Sequence, residues 1–276
     1  MTADNAALDA VGGRRRAAGA QRARRPPLPL RPIVLPVATA LACLAVWQAV
    51  VMAFRIPAVL LPAPTEVAHE LVTLWPVLLK HALPTGLESL VAFCIACVLG
   101  VSLAFAITYS PLLRDTLYPN LVAFQLIPKI ALAPLFVIWL GINSESRLAY
   151  STFISFFPVV ISTAAGLAST ERDALRLCRA LTASSWQTFV MVRFPFALPY
   201  VFSGMKIAVT MAFIGVIVGE FISAKAGLGF YILYASSRME TAAIFAAIFV
   251  LCVIGLALFG VVAGAERLVR RWYRGY

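Results

Sequence analysis

Apolar runs about as long as a bilayer is thick recur along this chain, and no other feature limits its fold so strongly. A hydrocarbon core about 30 Å thick is crossed by about 20 helical residues. Inside it, each backbone N–H and C=O must be satisfied within the segment that carries it. Runs of that kind stand at 33–54, 87–109, 121–141, 148–168, 200–222 and 243–264. The fold class read from them is an all-α membrane protein with about six transmembrane helices. Composition agrees, with 62% of residues hydrophobic and 13% charged, where a soluble domain has about half and about a quarter. The net charge of +11 raises nucleic acid as a partner. However, the cations stand at the ends of apolar runs rather than on one soluble face, which is the pattern of membrane topology.

The first 30 residues are rich in Ala, Arg and Pro and carry Arg14, Arg15, Arg16, Arg22, Arg24 and Arg25. With so little apolar content they read as a disordered basic tail, and 31–276 as one membrane domain. The first apolar run is too long for the core of a cleaved signal peptide. After Arg55, prolines at 57, 62 and 64 interrupt the chain. Thr65 is expected to cap a short amphipathic helix over 66–74, lying at the interface. Residues 110–119 read as a turn-rich link, 143–147 as a polar turn, and 224–242 as a re-entrant or interfacial stretch. Six spans place both termini on one side. The tail, Arg114, Arg172, Arg176, Arg179, Arg193, Arg267, Arg270, Arg271 and Arg274 then share that side. Arg55, Lys80, Arg147, Lys225 and Arg238 lie opposite, so both termini and the segment 169–199 are expected in the cytoplasm.

That segment, STERDALRLCRALTASSWQTFVMVRFPFALP, is polar between two spans. Thr170 is expected to cap a helix from Glu171 to about Leu181, with Glu171 and Asp173 in its positive first turn. Ala174, Leu177, Cys178 and Leu181 share one face of it. Ser184 and Gln187 have capping-box spacing for a second short helix, which Pro195 and Pro199 are expected to stop. Such a pair of helices either fills a groove on a soluble partner or lies on the membrane with its arginines toward anionic lipid. The residues alone leave both open.

Ionisable groups inside spans are costly and hence candidates for function, which singles out Lys129, Lys206 and Glu220 as pathway residues. Snorkelling lysines and a Glu220 paired with a cation such as Lys225 are the structural alternatives. Pro128 and Pro134 are expected to kink the third span, and Gly215 and Gly219 to let helices approach closely. Cys94-x-x-Cys97 has metal or redox spacing, but it lies mid-span without a second pair or a nearby histidine. No metal site, cofactor or catalytic motif is expected, so the chain is read as a non-enzyme with no energy source of its own.

Several stretches resemble one family: LPAPTEV at 61–67, IPKIALAPLF at 127–136, WLG at 139–141, FFP at 156–158, VGEF at 218–221 and GLG at 227–229. The chain is similar to the integral-membrane permease subunits of bacterial ABC importers, in the group that takes up nitrate, sulfonates and taurine. The resemblance implies a type I importer (MetI-like) permease fold over 31–276, placed in the bacterial inner membrane. It also implies a permease homodimer, cytoplasmic ABC ATPase subunits and an extracytoplasmic solute-binding protein. The family's loop signature reads E-A-A-x-x-x-G and then I-x-L-P. Anchored on Pro195, it sets Arg176, Leu177 and Cys178 at the E-A-A positions and Thr182 at the glycine, so the acid and the glycine are both replaced. Arg172, Arg176, Leu177, Cys178, Thr182, Trp186 and Pro195 are thereby implied in coupling to the ATPase. The function expected is passage of a small polar or anionic solute. A secondary carrier using Lys129 and Glu220, and a membrane scaffold recruiting a cytoplasmic protein, are the other readings.

Overall fold

The computed structural model describes residues 31–273; the basic tail at 1–30 and Arg274 lie outside the described residues. The chain divides into two units, 1–53 and 54–276. In the first, α1 (Arg31–Phe54) is an uninterrupted apolar helix despite Pro36. Its stretch Val34–Phe54 has a mean hydropathy of 2.1 and the length of a span.

The second unit is a bundle built on three long helices: α3 (Trp75–Tyr109), α6 (Ser144–Ala168) and α9 (Phe194–Ser223). Small side chains set how closely they approach. A Cβ on Gly100 would stand 2.8 Å from Val159, one on Gly204 2.7 Å from Ser162, and one on Gly215 2.9 Å from the Ser151 backbone. Ala92, Ala96, Ala208 and Ala212 are fully buried among them. Lipid tails are as apolar as leucine, so helices in a bilayer associate through such close packing. The spacing of Gly215 and Gly219 serves this purpose.

Around the trio stand α2 (Pro64–Thr73), α4 (Pro111–Phe124), a 3-10 turn (Lys129–Leu132) and α5 (Ala133–Leu140). The loop helices α7 (Arg172–Ala180) and α8 (Ser185–Thr188) follow, then a π turn (Phe189–Arg193). After α9 come α10 (Leu228–Ser237) and α11 (Thr241–Tyr273). Among the described residues five helices are long and apolar enough to cross a membrane, or six if α4 with α5 counts as one broken span. The contacts support the broken span. Arg114 on α4 donates to the Thr108 carbonyl at the end of α3, Phe124 stacks on Phe157 in mid-α6, and Phe136 packs on Tyr150 near the start of α6. The pair therefore runs from one end of the bundle to the other, bent by 91°.

Several boundaries differ from the sequence reading. Residues 110–119 are not a link but the start of α4, because Ser110 caps the helix through Leu113 N–H at 3.4 Å and Pro111 suits its first turn. The third span is not one kinked helix. Pro128 and Pro134 each remove an N–H, and the chain between them resolves into a 3-10 turn and a new helix. Residues 143–147 are not a turn; Asn143 accepts from Ser146 N–H at 2.9 Å and opens α6 there. Helix α2 begins at Pro64, so Thr65 lies inside it. Glu66 closes its first turn by accepting from Ala63 N–H at 2.9 Å. The second span starts at Trp75 rather than near 87, with Pro84 absorbed inside it.

Candidate functional site

The loop between α6 and α9 stands at the end of the bundle where Leu167, Phe189, Ala197 and Val201 form a buried cluster. Thr170 does not cap α7. It is buried, and its hydroxyl donates back to the Leu167 carbonyl at 3.3 Å, so Glu171 takes the cap position without a side-chain bond. Helix α7 ends on two backbone bonds, from Thr182 N–H to Arg179 O at 3.1 Å and from Ala183 N–H to Cys178 O at 3.0 Å. This is the Schellman closure, whose residue after the cap must be left-handed. Thr182, at the position of the signature glycine, sits at φ +52. A branched side chain there costs about 1–2 kcal/mol. The next turn has the expected box: Ser184 N–H donates to Gln187 Oε1 at 2.8 Å, and Gln187 N–H to Ser184 Oγ at 3.2 Å.

Pro195 and Pro199 do not stop the second loop helix. Helix α8 passes into the π turn, where Phe194 N–H reaches back to Phe189 O, and continues as α9. A proline ring clashes with the carbonyl four residues earlier. The wider π turn moves those carbonyls aside, so the chain continues with Pro195 in the first turn of α9. Loop and span form one helical stretch, Ser185–Ser223. Leu177, Leu181 and Trp186 are 61%, 70% and 70% exposed. Cys178 is half-buried, and Arg176 pairs with Asp173 at 3.2 Å on the exposed face.

At the opposite end, Glu220 is buried to 2% exposure. Its carboxylate accepts from Thr85 Oγ1 and from Gly229 N–H, each at 2.7 Å. Leu228 N–H donates to Thr85 Oγ1 at 2.9 Å, and Gly227 N–H to His81 Nδ1 at 3.2 Å. Three consecutive N–H groups at the start of α10, orphans in any helix, are thus satisfied by side chains from α3 and α9. Gly227, at φ +112, lies against the Glu220 carboxylate, and a Cβ there would overlap it. Beside this cluster Arg147 grips Glu88 with two bonds, Nε at 2.9 Å and Nη2 at 2.6 Å, and reaches the Ser223 carbonyl at 3.4 Å. The pair is partly buried, with the two side chains 12% and 15% exposed. Helix α10 closes as α7 does, with Met239 at φ +57. Arg238 binds Glu240 at 2.7 Å, and this bond holds its guanidinium above its ordinary pKa.

Residues 96–271 match the family described as the binding-protein-dependent transport system inner membrane component. The chain belongs to this family. A probable ABC transporter permease protein of Haemophilus influenzae is 34% identical over 78% of this chain and 88% of its own. The formylaminopyrimidine transport permease protein ThiX of Halalkalibacterium halodurans is 33% identical over 77% and 86%, and the taurine transport system permease protein TauC of Escherichia coli 28% over 88% and 91%. Among solved structures, the inward-facing MetNI methionine ABC transporter has a similar fold, with a TM-score of 0.61 at 17% identity over 71% of this chain and 98% of that one. This chain is therefore an ABC-type transport permease, an inner-membrane component, and its described residues form an all-helical, MetI-like fold.

Within this permease the candidate residues do not converge. Lys129 is half-buried in the break between α4 and α5, donating to the Gln125 carbonyl at 3.1 Å with its ammonium 5.4 Å from the Phe157 ring. Lys206 pairs with Glu266 of α11, which Arg270 also approaches at 3.7 Å. Glu220 is bonded to Thr85 and Gly229, not to Lys225. Of Arg172 only the backbone is described. The sequence reading does not single out His81, Thr85 and Glu88 as a site, because it starts the second span near 87, and it gives Arg147 only a place among the cations that set topology. Their signal was the one-face spacing of His81, Thr85 and Glu88.

Proposed function

We propose that this chain forms the translocation pathway of an ATP-driven importer, as a homodimer, and passes a small polar or anionic solute received from an extracytoplasmic binding protein. Its loop, 169–199, couples it to cytoplasmic ABC ATPase subunits, and both termini lie in the cytoplasm. One observation carries the reading. A stiffly closed two-helix loop holds Leu177, Leu181 and Trp186 in the open, and its second helix is continuous with a span. Side chains so placed are suited to a partner's groove, and a continuous helix transmits a push along its axis. Arg176, Arg179 and Arg193 at this end, with the basic C-terminus of α11, support its cytoplasmic side.

Formylaminopyrimidine and taurine, named for two relatives, support a small polar solute. Lys129 is the pathway candidate we retain, since it lies half-buried at the break in a span. Lys206 and Glu220 have partners of their own and serve packing better. That engagement also removes support from a secondary carrier using Glu220. The test is uptake into vesicles holding the permease and its co-expressed ATPase, with binding protein and solute outside. Uptake is expected to require ATP and to stop when 172–186 are deleted. Uptake without ATPase, or ATPase binding unaffected by the deletion, refutes the proposal.

A further inference from the structure

A cleft of about 410 Å³ opens between the loop helices and the end of α3, lined among others by Tyr109, Arg179, Ser185, Thr188 and Arg193. It is polar at the level where the apolar core ends. Among the described residues two arginines line it and no carboxylate does. Arg193 is half-buried and, among the described residues, makes no ion pair or hydrogen bond; Arg179 makes one long bond to the Leu175 carbonyl at 3.4 Å. Of the acids at the start of α7, Asp173 is paired with Arg176 on the exposed face and Glu171 stands exposed at the cap. A third cation, Arg114, bonds the carbonyl of Thr108, which also lines the cleft.

We propose that this cleft binds a phosphate group, either on an anionic phospholipid headgroup or free. Guanidinium forks match oxyanions with two parallel bonds each, and the hydroxyls of Tyr109, Ser185 and Thr188 add donors. Arg179 is exposed and Arg193 half-buried, and an anion in the cleft would give both guanidinium groups a partner. Position favours the headgroup as its bearer. Tyr109, the last residue of α3, packs on Phe189 at this end, 5.7 Å between centroids. Such an aromatic group marks the headgroup level of a span. A bound headgroup would brace the loop against α3, so lipid composition would affect coupling without touching the solute path. The inference needs the cleft and the membrane fold, and it stands whether or not the loop docks an ATPase.

The test uses the full-length permease with its ATPase in neutral detergent, titrated with phosphatidylglycerol or phosphatidylcholine and read by native mass spectrometry. In a second arm inorganic phosphate is added and the thermal midpoint followed. Phosphatidylglycerol should be retained over phosphatidylcholine, and R179Q/R193Q should weaken retention by about tenfold or more, the value of one lost bond to a charged group. R176Q, which removes the same charge outside the cleft, should leave retention unchanged. R179K/R193K should keep part of it, and if the glutamine pair does not fold, R193Q alone and the lysine pair give the same reading. A midpoint raised by phosphate, abolished in the variants, assigns the site to the free anion; lipid retention without that shift assigns it to the headgroup. Equal retention of both lipids with no phosphate effect overturns the proposal. So does an R176Q defect as large as the pair's. Loss of ATPase with lipid retention intact also overturns it and gives the cleft to partner carboxylates.

Discussion

The two ends of the bundle treat their polar groups in opposite ways. At the Glu220 end the three leading N–H groups of α10 meet His81, Thr85 and Glu220, and the partly buried guanidinium of Arg147 meets Glu88. At the loop end Leu177, Leu181 and Trp186 stand exposed, and the Arg193 side chain has no partner among the described residues. One end pairs these groups within the fold, while the other leaves large apolar side chains and a guanidinium open to a partner. Stability should therefore be concentrated at the first and partner binding at the second.

Substitutions can break that division, and the largest loss of stability is expected for Gly227→Ala. Its Cβ collides with the Glu220 carboxylate at a positive φ, so overpacking and backbone strain add to roughly 3–5 kcal/mol, read as a lower thermal midpoint in detergent. Next comes Glu220→Ala, which leaves the buried Gly229 N–H unsatisfied at about 1–3 kcal/mol, while the Thr85 hydroxyl turns to the His81 carbonyl at 3.2 Å. Glu220→Gln keeps one acceptor and should lose about half as much. If the alanine variant unfolds at the wild-type temperature, the far end is not the stable one. A smaller change, opposite in sign, is expected at the loop: Thr182→Gly should stabilise by about 1 kcal/mol, through relief of the left-handed threonine offset by glycine's entropy. Smallest in stability is L181A/W186A, expected within about 0.5 kcal/mol of wild type because both side chains are exposed. Yet co-purification of the ATPase should fall by at least about tenfold, as for aromatic anchors of an interface. A shifted midpoint with the ATPase still bound would reverse the assignment of the two ends.

The spans were legible because hydropathy over about 20 residues is a strong signal, and the Ser184 and Gln187 box because it is local. What the sequence could not show came from tertiary context. Pro199 lies within a helix, and Pro195 in the first turn of it, where proline punctuation suggests a stop. Packing in a bundle, and the π turn before Pro195, outweigh a lost bond. Ser110 and Asn143 were read as link or turn residues, though each is the cap of a helix. Glu220 stood out as a buried acid, but its partners lie 135 and 9 residues away in sequence. No periodicity pairs such positions. Thr182 was located by the spacing of the loop signature, and only the backbone reveals that threonine adopts the glycine conformation.

The stretch Ser185–Ser223 has 39 residues, about 58 Å of helix at 1.5 Å per residue, nearly twice the depth of a hydrocarbon core. It cannot lie wholly within the bilayer, so several turns must project beyond it as a rod. Rotating such a rod by about 10° about its midpoint displaces each tip by about 5 Å, comparable to one helical turn. With Trp186 near one tip and Glu220 near the other, the permease has a fixed mechanical advantage, set by where along the rod the membrane grips it.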